Sequence, residues 1–134
     1  MDFGVYSIQT NQFTFQLTQY KMHEVSIAMS ILQIIEEELS RNPGKAVVKV
    51  HLQIGVLSGV VPDSLLFALE ASRQNGPLKN AKISIDNLKG FAHCPDCGKK
   101  FETEDYFGVC PECGNSRYDI ISGRELLIKS ITLV

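Results

Sequence analysis

The chain has 134 residues, of which 44% are hydrophobic, and a formal net charge of −2. This length suits one domain, or a small domain plus a module, with enough apolar residues for a core. The near-neutral charge gives no basic field to attract nucleic acid or anionic lipid, and no apolar run is long enough to span a bilayer. The first residues lack the pattern of a secretory signal, so the sequence predicts a cytoplasmic protein.

Residues 1–21 differ in composition from the rest of the chain, with charges only at Asp2 and Lys21. Apolar and polar side chains alternate over residues 13–17, which is the period of a half-buried strand. Residues 7–12 are polar enough for a turn. We therefore expect a single strand or a hairpin here, or an extension that derives from cloning or from an upstream start codon.

The clearest helix begins near Glu24 and stops at the Arg-Asn-Pro-Gly sequence of residues 41–44. Its apolar residues recur at helical spacing. They are Val25, Ala28, Met29, Leu32, Ile35 and Leu39, with Ile27, Ile31 and Ile34 widening the face. We expect this helix to bury most of its surface and to leave the glutamates at 36–38 on the solvated side.

Residues 46–56 alternate in character and are predicted to form a strand. Its apolar face is expected to carry Val48, Val50, Leu52, Ile54 and Val56. His51 falls on the polar face, where we expect a solvent-facing or edge histidine rather than a metal ligand.

Pro62 suits the first turn of a second helix, which is expected to end before residue 75. The predicted core face of this helix comprises Leu65, Leu66, Ala68 and Leu69. Two further strands are predicted at 81–88 and 125–134, and residues 118–121 are extended.

All four cysteines lie between these last two strands, as two Cys-x-x-Cys pairs: Cys94 with Cys97, and Cys110 with Cys113. A glycine follows each pair and permits the positive φ that such a turn needs. Together the pairs supply four thiolates, a tetrahedral set that Zn²⁺ fills without an open position, so the site is structural. Two disulfides would suit a secreted miniprotein, and a redox-active pair would need one Cys-x-x-Cys at a strand–helix corner. Zinc is therefore favoured over both.

The predicted order is helix, strand, helix, strand, cysteine-containing insert and strand. This order predicts an α+β fold, a small mixed sheet with two helices, and a four-cysteine zinc-ribbon-like module inserted between strands. Residues 22–90 and 118–134 would form the α/β domain, residues 91–117 the zinc-binding module, and residues 1–21 the N-terminal extension.

The sequence shows no catalytic constellation, because it lacks a Gly-rich phosphate loop and a nucleophile elbow, and its cysteines are assigned to zinc. It therefore predicts a protein that is not an enzyme. A four-cysteine module with nearby aromatics and cations is also typical of nucleic-acid binding. Its cations, Lys99, Lys100 and Arg117, are outnumbered by acidic residues, which disfavours that function. A zinc-ribbon module that binds nucleic acid or a protein partner stays as the alternative.

Six stretches form a specific combination over residues 22–134. They are Met-His-Glu-Val-Ser-Ile-Ala at 22–28, Ile-Gly-x-Leu-Ser-Gly-Val-x-Pro at 54–62, Leu-Phe-Ala-Leu-Glu at 66–70, the two Cys-Pro-x-Cys-Gly knuckles, and Ile-Ser-Gly-Arg-Glu-Leu at 121–126. Together they resemble the HypA/HybF family of hydrogenase nickel-insertion proteins. The resemblance implies a cytoplasmic metallochaperone that delivers Ni²⁺ to the large subunit of [NiFe]-hydrogenase and works with the GTPase HypB. It also implies a structural zinc module and, in some bacteria, a role in urease maturation. Independently of the resemblance, a homodimer is one assembly to consider.

In that family, nickel is held at the start of the chain. By resemblance, its ligands here are the imidazole of His23, the backbone nitrogens of His23 and Glu24, and the nitrogen of Met22, which in the family is a free amine. An imidazole with deprotonated backbone nitrogens suits planar Ni²⁺. Because 21 residues precede Met22, its nitrogen is an amide in the full chain. Three interpretations follow: the true start is Met22, the extension is removed, or nickel takes a substitute ligand or binds more weakly. We expect that the extension is not part of the working protein.

His93 directly precedes Cys94. We expect it to be a surface residue or to donate a hydrogen bond to a thiolate. It is also a candidate modulator, which would exchange with a cysteine ligand and report conformation to the nickel domain.

Overall fold

The computed structural model describes the backbone of residues 6–9 and all of residues 24–134. The elements in chain order are β1 (Tyr6–Gln9), α1 (Glu24–Arg41), β2 (Val47–Gly55), α2 (Pro62–Ala71), a short 3-10 helix (Arg73–Asn75), β3 (Lys82–Leu88), β4 (Phe91–His93), β5 (Lys100–Glu102), β6 (Asp119–Ser122) and β7 (Leu126–Leu133). Within the described part of the chain, no helix has the length and apolar character needed to cross a membrane.

The main sheet has the strand order β1-β7-β2-β3. β7 runs antiparallel to both β1 and β2, whereas β2 and β3 are parallel and are joined through α2. Alternate residues of β2 and β7 are buried together with the apolar faces of both helices, and form one hydrophobic core. The predicted α+β fold with a small mixed sheet and two helices is confirmed.

The buried face of α1 is centred on Ile27, Ile31 and Ile35, each at most 2% exposed. Two predicted core residues lie outside it: Val25 is 61% exposed and Met29 is 66% exposed. Periodicity predicted an apolar face wider than the sheet and α2 can cover, so its edge stays in solvent. Glu38, predicted to be solvated, is buried, and its carboxylate accepts a hydrogen bond from Arg41 at 2.8 Å. That prediction was wrong because the last turn of α1 is also partly buried. The Glu38 carboxylate is paired there with the guanidinium of Arg41 on the same helix.

The face of β2 differs from the prediction at both ends. The pairing with β7 shifts register between Val47 and Lys49, so Val47 is buried where Val48 was expected. A β-bulge of this kind exchanges the two faces of a strand locally. Val56 lies beyond the end of β2 and is 47% exposed.

His51 lies on an inner strand, since β2 is flanked by β7 and β3, so of the two expected placements, solvent-facing or edge, the edge is excluded. Its Nε2 lies 2.8 Å from Oδ2 of Asp86 on β3, and its side chain is 22% exposed.

The buried residues of α2 are Leu65 and Leu69, as predicted, with Ala68 partly buried against the core. Leu66, the fourth predicted member of this face, is only half-buried and lies outside the core cluster.

The cysteine-containing insert builds a second sheet of three short strands, with the order β5-β4-β6. All three are antiparallel to their neighbours. The sequence assigned β6 to the α/β domain, but in the structure β6 pairs with β4 of the insert. The insert leaves the main sheet after β3 and returns to it at β7, and both of these strands flank β2. The predicted insertion of the four-cysteine module between strands of one sheet is confirmed.

A strand also forms near the N-terminus, where β1 pairs with β7 from Tyr6↔Leu133 to Gln9↔Ser130. The turn predicted for residues 7–12 is thus replaced by a strand over its first three residues. The strand predicted at 13–17 lies outside the described residues.

The end of β2 meets the chain returning from the insert at very short range. A Cβ placed on Gly55 would lie 2.0 Å from the carbonyl oxygen of Gly123, a backbone atom that cannot rotate away. Gly55→Ala is therefore expected to force these segments apart and to lower the free energy of unfolding by about 2 kcal/mol. Urea unfolding monitored by circular dichroism measures this loss.

Gly59→Ala is the matched control. Gly59 has φ +80 and has no atom within 4 Å of a built Cβ, so this change tests backbone strain without a collision. Its expected cost is about 1 kcal/mol. A smaller loss for Gly55→Ala than for Gly59→Ala would contradict the close approach of the two segments.

Candidate metal centre

The two cysteine knuckles are built in the same way. In each, the N–H of the first cysteine donates to the carbonyl oxygen five residues later, and its own carbonyl accepts the N–H of the following glycine. The four hydrogen bonds are Cys94 N to Lys99 O at 2.9 Å, Gly98 N to Cys94 O at 2.9 Å, Cys110 N to Asn115 O at 2.8 Å and Gly114 N to Cys110 O at 2.9 Å. Both glycines have positive φ, at +76 and +73. The chain therefore folds each Cys-x-x-Cys into a tight turn that points two sulfurs the same way.

The two turns bring all four predicted cysteines together, with every sulfur within 4.8 Å of the others. The Sγ atoms of Cys94 and Cys113 are 3.5 Å apart, and those of Cys97 and Cys110 are 3.6 Å apart. These separations exceed a disulfide bond, which is about 2.05 Å. Zinc–sulfur bonds of about 2.3 Å in a tetrahedron place the sulfurs roughly 3.8 Å apart. The geometry therefore fits one tetrahedral metal ion and not two disulfides.

The electrostatics of the cluster favour a cation. The backbone N–H groups of Cys97 and Asp96 donate to the Cys94 sulfur and, against burial, lower its pKa to about 7. The N–H of Asn115 acts in the same direction on Cys113, but the neighbouring Cys94 thiol and the partial desolvation of the sulfur outweigh it and raise the pKa of Cys113 to about 12. Four sulfurs this close cannot all carry charge at neutral pH by themselves. A divalent cation removes that conflict, since it binds thiolates and displaces their protons.

Across residues 24–134, these cysteines are the only group of three or more His, Cys, Asp or Glu side chains whose ligand atoms converge. His93 lies at the end of β4, one residue before Cys94, and is not a member of this group. Cys94 and Cys110 are buried, whereas Cys97 and Cys113 are exposed.

Of the three residues implied in nickel binding, Met22 and His23 lie outside the described part of the chain. Glu24 is the first residue of α1, and its Oε1 accepts a hydrogen bond from the N–H of Val61 at 3.3 Å. Glu24 also lines a cleft of about 660 Å³ between the start of α1 and α2. The structure thus ties the first turn of α1 to the loop before α2, a connection that no sequence signal indicated.

The aromatic residues of the module divide into two groups. Phe101 and Tyr118 meet edge to face with their ring centres 5.2 Å apart, as expected for a small core. Phe107 is 91% exposed and Tyr106 is 42% exposed, so neither belongs to that small core. The hydroxyl of Tyr106 instead donates to the backbone carbonyl of Leu57 in the main domain. The sequence offered no means of finding that contact, because 49 positions separate the two residues.

The fold and the cluster define a small α+β metal-binding protein with an inserted four-cysteine module. Residues 22–133 match a family model described as HypA, hydrogenase/urease nickel incorporation, metallochaperone. The chain belongs to the HypA family.

Similar proteins of known sequence are hydrogenase maturation factors. The chain is 40% identical over 110 residues to hydrogenase maturation factor HypA of Geobacter metallireducens, covering 82% of this chain and 97% of the relative. It is 38% identical over 113 residues to the HypA of Rhizobium leguminosarum bv. viciae, covering 84% of this chain and 100% of the relative.

Solved structures agree. The solution structure of the Ni metallochaperone HypA from Helicobacter pylori aligns with a TM-score of 0.55 and 28% identity, covering 82% of this chain and 96% of that one. A second solution structure of a HypA protein aligns with a TM-score of 0.60 and 25% identity, covering 86% of this chain and 98% of that one.

Proposed function

We propose that this protein is a nickel metallochaperone, not an enzyme, which binds Ni²⁺ and delivers it during maturation of [NiFe]-hydrogenase. The observation that carries the proposal is the family match over residues 22–133, which includes Met22-His23-Glu24 at its start. The four-thiol cluster supports the proposal, because the cysteines would then hold zinc while residues 22–24, in a separate part of the chain, bind nickel.

In this proposal Cys94, Cys97, Cys110 and Cys113 hold one structural Zn²⁺. Four thiolates close the coordination sphere, so the ion has no open position for substrate and serves to fold the module. His93 stays outside the ligand set and is a candidate modulator, close enough in sequence to donate to a thiolate.

The cargo site comprises the imidazole of His23, the backbone nitrogens of His23 and Glu24, and the nitrogen of Met22. A planar nitrogen set suits Ni²⁺. A free amine at Met22 binds more readily than an amide, so a chain that starts at Met22 is expected to bind nickel more tightly than the full chain. Because protons compete for these nitrogens, nickel affinity falls as pH falls, and this gives a route to release.

The working partners are the hydrogenase large subunit and the GTPase HypB, with urease maturation proteins as further candidates. The protein acts in the cytoplasm, without nucleic acid or membrane, and a homodimer is a candidate assembly. The main domain would handle nickel and the inserted module would hold zinc, with β6 on the side of the module because it pairs with β4. The nucleic-acid alternative gains no support, because Lys99 pairs with Glu112 and Lys100 lies over the Phe91 ring.

The proposal is tested by nickel titration calorimetry of the full chain and of a chain starting at Met22, each with verified mass and zinc content. The Met22 chain is expected to bind one nickel ion tightly, and delivery to a nickel-free hydrogenase large subunit is expected to restore hydrogenase activity. His23→Ala is expected to weaken nickel binding by at least about 100-fold, since it removes a ligand outright. Zinc content stays unchanged.

His51→Ala is the matched control, because it removes an imidazole that pairs with Asp86 within the sheet. It is expected to leave nickel affinity unchanged. Full affinity in His23→Ala would remove His23 from the site. Equal, tight binding by both chain lengths would show that the free amine is not required.

A further inference from the structure

Leu57 is the point at which the four-cysteine module joins the main domain. Its side chain is 3% exposed and packs beside both Gly90 and Gly123, which lie on the two connections that enter and leave the module. Its N–H donates to the carbonyl of Gly123 at 2.7 Å. Any shift of the module relative to the domain must therefore move Leu57.

Tyr106 reaches the same residue from inside the module. It lies in the loop between β5 and Cys110, and its hydroxyl donates to the carbonyl oxygen of Leu57. The guanidinium of Arg124 lies over its ring, 5.3 Å from the ring centre, and fixes the orientation of the side chain. Tyr106 thus bridges from the loop that links the knuckles to the backbone of the main domain.

The loop that begins at Leu57 leads into α2, and its last residue, Val61, contacts the start of α1. The N–H of Ser58 donates to Gly55 O at 3.0 Å, and the N–H of Val60 donates to Ser58 Oγ at 3.2 Å. The N–H of Val61 then donates to Oε1 of Glu24 at 3.3 Å. The first two hydrogen bonds join residues that are close in sequence. The last joins residues far apart in sequence and connects this loop to α1.

We propose that Tyr106 is a positioning residue for the nickel site. By holding Leu57, it fixes the loop of residues 57–61, and Val61 in turn holds Glu24, the residue next to His23. The inference rests on the proposed function, because it assigns to Tyr106 the ordering of a backbone that binds nickel. Tyr106 itself touches no nickel ligand in the described part of the chain. Its effect is preorganisation, since a first turn of α1 that is already ordered loses less entropy when the metal binds.

The expected effect is modest. One hydroxyl–carbonyl hydrogen bond changes an equilibrium by about fivefold, and only part of that change reaches Glu24. Tyr106→Phe keeps the ring and its contact with Arg124, and removes only the hydroxyl. We expect its nickel dissociation constant to rise by about threefold with zinc content unchanged.

The test has two readouts. Amide hydrogen exchange on the full chain, without nickel, is expected to be at least about twofold faster at Val61 in Tyr106→Phe. Nickel titration is then made in the chain form that binds tightly, with Tyr106→Phe alone, Glu24→Ala alone and both together. If Tyr106 acts through Glu24, it has no further effect in the Glu24→Ala background.

Ser72→Ala is the matched control, because it removes a hydroxyl that likewise donates to a backbone carbonyl, that of Leu69, but at the other end of α2 from Val61. It is expected to change neither readout. Unchanged exchange at Val61 in Tyr106→Phe would overturn the link, and so would an equal effect of that variant in both backgrounds. Loss of zinc from Tyr106→Phe would also overturn the proposal, by giving Tyr106 a role in folding the module. A parent chain that binds no nickel would overturn the proposed function, while the exchange result would still decide the link between Tyr106 and Glu24.

Discussion

Replacing Cys110 by serine is expected to release the proposed zinc ion and unfold the inserted module, while the main sheet stays folded. Cys110 is 1% exposed, and its sulfur lies 3.6 Å from that of Cys97. Serine has nearly the same size but supplies no thiolate. A structural zinc site contributes about 10–16 kcal/mol of binding free energy, which is folding free energy for the segment that it orders.

The module has little else to hold it. Its three strands have three, three and four residues, and its buried apolar side chains apart from the cysteines reduce to Ala92. The main core, by contrast, draws on no described residue between 91 and 122. Zinc content is therefore expected to fall from about one ion per chain to near zero. Amide protection is expected to disappear over residues 91–122 and to persist in β2 and β7.

Glu112→Gln is the control for this experiment. Glu112 lies between two of the cysteines, but its side chain is 59% exposed and it makes only a surface ion pair with Lys99 at 3.6 Å. Zinc content and protection are expected to match the parent. Full zinc content in Cys110→Ser would exclude that sulfur as a ligand, and loss of protection throughout the main sheet would show that the two parts fold as one unit.

The second large effect concerns the core of the main domain. Ile35→Ala is expected to lower the free energy of unfolding by about 4 kcal/mol, because the side chain has 0% exposure and its removal leaves a cavity that the sheet and helices cannot fill. Equilibrium urea unfolding gives the value, provided that zinc stays bound in both proteins.

Met29→Ala is the matched control on the same helix. The sequence pattern predicted that Met29 and Ile35 both lie on the apolar face of α1, but Met29 is 66% exposed in the structure. We expect its change to lie within about 0.5 kcal/mol. A larger loss from Met29→Ala than from Ile35→Ala would place the wrong face of α1 against the sheet.

Ile35 and Met29 show what hydrophobic periodicity predicts about a helix and what it does not. Spacing alone identified α1, because a helical repeat over 18 residues has no other explanation in a chain of this kind. It did not identify the centre of the buried face, because nine apolar residues span more of the helix than its neighbours cover. Glu38 was misassigned for a related reason: its burial depends on Arg41 and on the packing of the last turn, not on its own polarity.

The candidate metal site likewise has features that the sequence predicted and features that it did not. The four cysteines could be predicted as one cluster because a Cys-x-x-Cys turn is a local structure, and a glycine with positive φ completes each one. The contacts of Glu24 with Val61 and of Tyr106 with Leu57 could not be predicted, since each joins residues far apart in sequence.

The sequence by itself determined the order of the main helices and strands from α1 onward, the position of the insert and the grouping of the four cysteines, because each depends on neighbours within a few residues. Only the tertiary structure decided which side of α1 is buried, that β6 belongs to the insert's sheet, and how the insert meets the domain at Leu57. Those features depend on which surfaces come into contact once the chain is folded. A local pattern shows that a surface is apolar, but the partner that covers it is set by the fold.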